Sequence, residues 1–225
     1  EVMRTLRKAS RHCYLLESAS QTEVWGRYSF LGYEPVMEIT CTDGYMKIRH
    51  TEVGNDEVVT KQVAHPGDTL REILKEYKSP VMEEMPPFTG GLVGYFSYDY
   101  IKYSEPKLKL GEHEDPDFRD MDLMLFDQDR QKVLLITGVM LDDLEKSYQK
   151  AEKKLQEMAD LIRDGEKEEF PSLKLASEIK PQFPKEKYCD MVEKAKHYIH
   201  EGDIFQVVLS NPMRAKAEGS LFDTY

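Results

Sequence analysis

Val36-Met37-Glu38-Ile39-Thr40-Cys41-Thr42-Asp43-Gly44-Tyr45-Met46-Lys47-Ile48-Arg49-His50 reads as a β-hairpin. Asp43-Gly44 is a two-residue turn signal, because Asp and Gly tolerate the positive φ angles that a tight hairpin needs. Counting outwards from it pairs Cys41 with Met46 and Ile39 with Ile48 on one face. Thr40 then faces Lys47, and Glu38 faces Arg49, on the other. One apolar face and one charge-matched face describe an antiparallel pair lying on a core. This stretch is scaffold, and it sets the fold class as α+β: a largely antiparallel sheet with helices packed outside it.

Upstream, residues 2–16 mix charge with Val, Leu and Tyr and should end in a strand near Cys13–Leu16. Residues 24–32 read as a second strand, ended by Gly32 and Pro35. Downstream, residues 51–64 add an irregular strand broken at Gly54-Asn55. Asp68 is placed to cap a helix ending near Lys78, with Leu70, Ile73, Leu74 and Tyr77 on one stripe. Gly90–Tyr100 reads as a central strand whose glycines admit another backbone or aromatic rings. It has no Lys-Ser/Thr pair, so it is not a phosphate loop. A polar loop spans 102–118, and 119–127 with 132–140 read as a second hairpin around Asp127–Arg130.

Residues 141–163 read as a long helix with Leu141, Leu144, Tyr148, Ala151, Leu155, Met158 and Ile162 at steps of three and four, and Gly165 as its C′ residue. Residues 164–184 are a linker candidate, charged and with Pro171, Pro181 and Pro184. Pro184 opens another helix with its stripe from Tyr188 to Ile199, Gly202 ends it, and Asp203 to about Ala217 should be a strand. Ser220-Leu221-Phe222-Asp223 reads as a capping box opening a further helix. With no initiator Met and a helix start two residues before Tyr225, the chain is expected to be an excised fragment.

The 225 residues are 40% hydrophobic and 32% charged, with a formal net charge of −11. That balance argues against nucleic-acid or anionic-membrane surfaces, which need clustered Lys and Arg. No apolar run reaches the roughly 18–20 residues of a membrane span, and no signal peptide is visible. Cys13, Cys41 and Cys189 give no disulfide framework and no paired zinc ligands, so reduced cytoplasmic thiols are expected. His197 and His200, three apart, read as cations at a helix C-terminus rather than as metal ligands. No P-loop, dinucleotide fingerprint or nucleophile elbow occurs.

One stretch carries candidate chemistry. Leu15-Leu16-Glu17-Ser18 is followed by Trp25-Gly26-Arg27-Tyr28-Ser29-Phe30-Leu31-Gly32. A carboxylate, a hydroxyl and a guanidinium beside an apolar wall could hold a small zwitterion, the carboxylate taking the amine and the guanidinium the carboxylate. Taken alone, Glu17, Ser18 and Arg27 read equally as the solvated ends of strands.

Tyr14–Ser18 with Arg27–Gly32 resembles the N-terminal region of anthranilate synthase component I, a family of chorismate-using enzymes. Gly90-Gly91-Leu92-Val93-Gly94-Tyr95-Phe96-Ser97-Tyr98-Asp99 and Glu201-Gly202-Asp203-Ile204-Phe205-Gln206-Val207-Val208-Leu209-Ser210 resemble two further family blocks, in the same order. The resemblance implies that residues 1–180 are the family's N-terminal region. Residues 184–225 would be the first elements of the chorismate-binding (ADC synthase-like) domain. It implies an enzyme, a lyase that makes anthranilate and pyruvate from chorismate and glutamine-derived ammonia in tryptophan biosynthesis. Mg²⁺ and a glutamine amidotransferase subunit are its implied cofactor and partner. Glu17, Ser18 and Arg27 would be half of an L-tryptophan feedback site. The family's catalytic His and Mg²⁺-holding glutamates lie beyond the last block, so the resemblance transfers no catalytic residue or metal ligand here. The fragment is expected to be inactive, with an exposed sheet edge after residue 184 that favours self-association. Asp203 and Gln206 read as support for the strand entering the catalytic part. The rivals are aminodeoxychorismate synthase component I and a stand-alone amino-acid-binding module.

Overall fold

A computed structural model describes residues 1–17, 28–51, 57–79, 83, 86, 88–105, 107–108, 118–126, 135–139, 141, 143–222 and 224–225. The chain divides into two compact units, Glu1–Glu168 and Glu169–Tyr225.

The first unit runs α1 (Val2–Ala9), β1 (Cys13–Leu16), β2 (Phe30–Tyr33), β3 (Met37–Thr42), β4 (Tyr45–His50), β5 (Val58–Gln62), α2 (Pro66–Glu76), β6 (Gly91–Phe96), a 3₁₀ turn at Tyr98–Tyr103, β7 (Met121–Phe126) and α3 (Leu144–Asp164). β5, β4, β3, β7 and β6 form one antiparallel sheet in that spatial order. The hairpin has the register counted from its turn, Cys41 opposite Met46 and Ile39 opposite Ile48. Asp43 and Gly44 both take positive φ, 49° and 81°. Met37, Ile39, Cys41, Met46, Ile48, Met121, Leu123 and Leu125 line the inner face, where Leu70 and Ile73 of α2 cover them. Mixed helix and strand around an antiparallel sheet is the α+β class expected.

Several boundaries differ from the sequence reading. Residues 2–9 form a helix: Val2 and Leu6 join Tyr33 and Met158 in a second cluster between α1, β2 and α3. Two turns are too short to announce themselves without that tertiary support. Gly32 lies inside β2, and a β-carbon there would overlap the Tyr14 ring, so glycine makes room for the aromatic rather than ending the strand. α2 starts at Pro66, whose fixed φ suits a first helical turn. Asp68 is therefore inside the helix, where its carboxylate pairs with Arg71 at 2.7 Å.

The Gly90 block forms the edge strand β6, not a central one. β7 is the strand flanked on both sides, between β3 and β6. The glycines do admit a neighbour, since a β-carbon at Gly94 would collide with the Asp122 carbonyl. Residues 127–134 lie outside the described residues, and 135–139 are not in a strand, so β7 takes its partners from β3 and β6 rather than from its own downstream segment. Gly165 caps α3 in an extended conformation (φ −65°, ψ 144°), not the left-handed one. Its missing side chain is needed because a β-carbon would strike the Leu161 carbonyl and Thr5.

The second unit contains β8 (Lys174–Leu175), β9 (Lys180–Pro181), α4 (Lys185–His200), β10 (Met213–Arg214) and β11 (Ala217–Glu218). β9 pairs with β10 and β8 with β11, so residues read as a linker are tied into this unit. The Asn211 carboxamide accepts from the Phe183 amide and donates to the Phe183 carbonyl, both at 3.0 Å. The strand expected from Asp203 to Ala217 is not formed. Residues 204–212 carry no regular structure, and only the two short strands β10 and β11 follow. A strand exists only where a neighbour takes up its backbone groups, and the unit presents none to 204–212. At Ser220 the backbone makes a turn, with the Phe222 amide donating to Ser220 Oγ at 3.1 Å. Asp223 lies outside the described residues.

Candidate functional site

The zwitterion candidate sits at one end of the β1–β2 pair. Cys13 pairs with Tyr33 and Leu16 with Phe30, so Glu17 is the first residue past the paired end, on the surface. Across from it the chain arrives through Tyr28 and Phe30, whose rings are 6.0 Å apart, and Phe88 meets Phe30 edge-on at 5.6 Å. With Leu16, 46% exposed, these rings make an apolar wall next to a carboxylate. The pair is anchored to the large sheet by Tyr14, packed edge-on at 4.7 Å against Phe126. Ser18 and Arg27 lie outside the described residues. The structure thus brings Glu17 to an aromatic wall.

A second constellation, which the sequence did not disclose, surrounds Asp120. This residue is fully buried. Its carboxylate accepts from the Tyr103 hydroxyl at 2.6 Å and the Asp43 amide at 2.7 Å, and faces Lys102 Nζ at 2.8 Å. Tyr103 Oη in turn accepts from the Gly44 amide at 2.7 Å, and Lys102 also reaches Asp43 Oδ1 at 2.5 Å. Burial by itself would raise the Asp120 pKa, but the Lys102 ammonium, the Tyr103 hydroxyl and the Asp43 amide outweigh it, and the group sits below its ordinary value. Burial first, and then the Asp120 carboxylate, push the Tyr103 phenol far up. A permanently ionised acid surrounded by donors has no proton to give and no free lone pair for substrate. Its role is to latch the Asp43-Gly44 turn to the 3₁₀ segment. Its members lie 17 to 77 residues apart in the chain, so no local motif could reveal them.

The remaining reactive groups are quiet. Burial raises the Cys13 and Cys41 thiols, which keeps both protonated. His197 lies 3.9 Å from Glu201 at the end of α4. Among the described residues no group of three or more His, Cys, Asp or Glu side chains is placed to hold a metal ion, so no step here runs through Mg²⁺. Among the same residues no helix is long and apolar enough to cross a membrane. Asp203 donates its amide to the Tyr198 carbonyl at 3.0 Å, and Gln206 is exposed.

The sequence profile of the chorismate binding enzymes matches residues 11–225. The chain belongs to the chorismate binding enzyme family. It is 32% identical to anthranilate synthase component 1 of Acinetobacter calcoaceticus, over 94% of this chain and 44% of that protein. It is 31% identical to anthranilate synthase component 1 of Aquifex aeolicus, over 98% of this chain and 46% of that protein. It is also 34% identical to aminodeoxychorismate synthase component 1 of Bacillus subtilis, over 91% and 43%. The chain of this family member spans less than half the length of these relatives. It corresponds to a fragment of proteins of their kind.

Proposed function

We propose that this chain is part of the large subunit of an anthranilate synthase, a cytoplasmic lyase of tryptophan biosynthesis. The reaction consumes chorismate and ammonia and yields anthranilate, pyruvate and water, with the ammonia released from glutamine by an amidotransferase subunit and Mg²⁺ supplied to the catalytic part. The observation that carries this reading is the similarity to anthranilate synthase component 1, which runs through more than nine-tenths of the chain. Residues to about 180 act as the N-terminal region, and those after 184 begin the chorismate-binding domain. The fragment alone is inactive, because none of the described residues forms an acid–base or metal constellation open to a substrate.

Glu17, Ser18 and Arg27 bind L-tryptophan as feedback inhibitor. The Glu17 carboxylate takes the ligand ammonium, Arg27 its carboxylate, and the Leu16, Tyr28 and Phe30 wall its indole. The position of Glu17 beside that wall supports the assignment. Tryptophan favours one arrangement of the protein and chorismate another, so each lowers the affinity for the other. A second reading rests on the Bacillus subtilis relative: component I of aminodeoxychorismate synthase.

The test uses the complete reading frame that encodes the chain, supplied with chorismate, Mg²⁺ and ammonium. Anthranilate fluorescence supports the proposal. Accumulation of 4-amino-4-deoxychorismate in its place selects the second reading, and neither product refutes both. In the active protein, Glu17→Ala should weaken inhibition by tryptophan about 10- to 100-fold, the worth of one charge-assisted hydrogen bond, with kcat unchanged. Unaltered inhibition in that variant would remove Glu17 from the site while leaving the enzymatic assignment intact.

A further inference from the structure

Ile204-Phe205-Gln206-Val207-Val208-Leu209-Ser210 has no part in the function described above. It carries no charge, no Gly and no Pro, and it alternates Phe205, Val207 and Leu209 with Ile204, Gln206 and Val208. That is strand composition. Yet no regular structure forms. Among the described residues no backbone hydrogen bond ties residues 204–210 to another segment, and only the Leu209 carbonyl is engaged, by the Tyr188 hydroxyl at 3.1 Å. Phe205 is 99% exposed and Val208 83%. An uncharged apolar segment with open backbone donors and acceptors is a template for another strand.

We propose that this segment pairs with itself in a second copy of the chain, as an antiparallel ribbon with Val207 on the twofold axis. The register follows from parity. Residues directly opposite in an antiparallel pair share a face, so any register that keeps Phe205, Val207 and Leu209 together must match odd with odd. Centring on Val207 sets Phe205 against Leu209 and Val207 against itself, the longest apolar overlap. Electrostatics select the same place. The chain carries a net charge of −11, so copies repel each other in general, and this is a stretch where approach brings no charge against charge. In this register Asp203 falls opposite Asn211 and Glu201 opposite Met213, so no carboxylate faces another. The partner is an identical strand, and the inference stands independently of the enzymatic assignment.

The 225-residue chain itself is the sample. In a Cys189→Ser background, Val207→Cys places two thiols across the axis. The α-carbons of directly opposed residues lie about 4.5–5.5 Å apart, inside the roughly 4.4–6.8 Å span of a disulfide. Mild oxidation should give a covalent dimer. Asp203→Cys in the same background should not, because two copies of residue 203 would be roughly 25 Å apart at ~3.3 Å per residue. Sedimentation velocity should find the unmodified chain dimeric at micromolar concentration. Val207→Lys, which sets two ammonium groups against each other, should raise the dissociation constant at least about tenfold, with the helical circular dichroism unchanged. A monomeric parent chain, an undiminished dimer in Val207→Lys, or cross-linking through residue 203 as fast as through 207 would each overturn the proposal.

Discussion

Replacing Asp120 by Asn keeps the shape of the side chain and reverses part of its chemistry. The carboxylate accepts from Tyr103, from the Asp43 amide and from Lys102. An amide retains one acceptor oxygen and turns the other position into a donor that faces donors. Each buried polar group left without a partner costs about 1–3 kcal/mol. Lys102 keeps Asp43, which limits the loss. The expected destabilisation is about 3 kcal/mol, at the lower edge of the ~3–5 kcal/mol typical of a broken buried ion pair. For a unit of this size that lowers Tm by roughly 6–12 °C. Calorimetry of the parent and Asp120→Asn measures it, with exchange of the Gly44 amide reporting on the latched turn. A cycle with Tyr103→Phe should show coupling above about 0.5 kcal/mol. The pH dependence has a defined sign. The folded pKa of Asp120 lies below its ordinary 3.8, so the stabilisation is complete above that value and is lost as pH falls through the folded one. The gap between parent and variant should therefore close in acid. A loss under about 0.5 kcal/mol, additivity with Tyr103→Phe, or a gap that persists in acid would refute the latch.

Gly94→Ala forces a β-carbon into the Asp122 carbonyl and should cost about 2–3 kcal/mol, read from a lower urea midpoint. Gly202 has φ 82° but open space around it, so Gly202→Ala should cost only about 1 kcal/mol of backbone strain in the same titration. The Tyr33 phenol is raised to about 12, by burial first and then by Glu34 and Glu157. Its contribution is complete below the ordinary value of 10 and is lost as pH rises towards 12, so Tyr33→Phe should flatten the alkaline decline of stability measured by thermal unfolding. Gly165→Ala, which pushes against Thr5 and the Leu161 carbonyl, should loosen α1 from α3 and speed amide exchange at Leu6.

The candidate site was legible only as composition. Glu17 could be singled out because it stands beside Leu15 and Leu16, but the aromatic wall opposite it depends on Phe88, more than fifty residues away from Phe30 and brought to it by the fold. The Asp120 latch left no trace in sequence, since an isolated Asp, Lys and Tyr in polar surroundings look like solvated residues until burial is known. The strand predicted after Asp203 shows the opposite error. Its β-forming residues are real, but propensity supplies no partner, and without one the segment stays unpaired.

The amino-acid sequence by itself determined what nearest neighbours decide. The Asp43-Gly44 turn, the alternation on either side of it and therefore the register of β3 with β4 follow from φ preferences and a period of two. The apolar stripe of α3 follows from a period of 3.6. Tertiary structure alone decided which strand lies at the centre of the sheet, because β7 inserts between β3 and β6 over separations of about 80 and 30 residues. It also decided that two turns of α1 are helical and that Asp120 is buried and ionised. Those outcomes depend on loop closure and on the summed burial and pairing of distant groups, quantities that no local window of sequence contains.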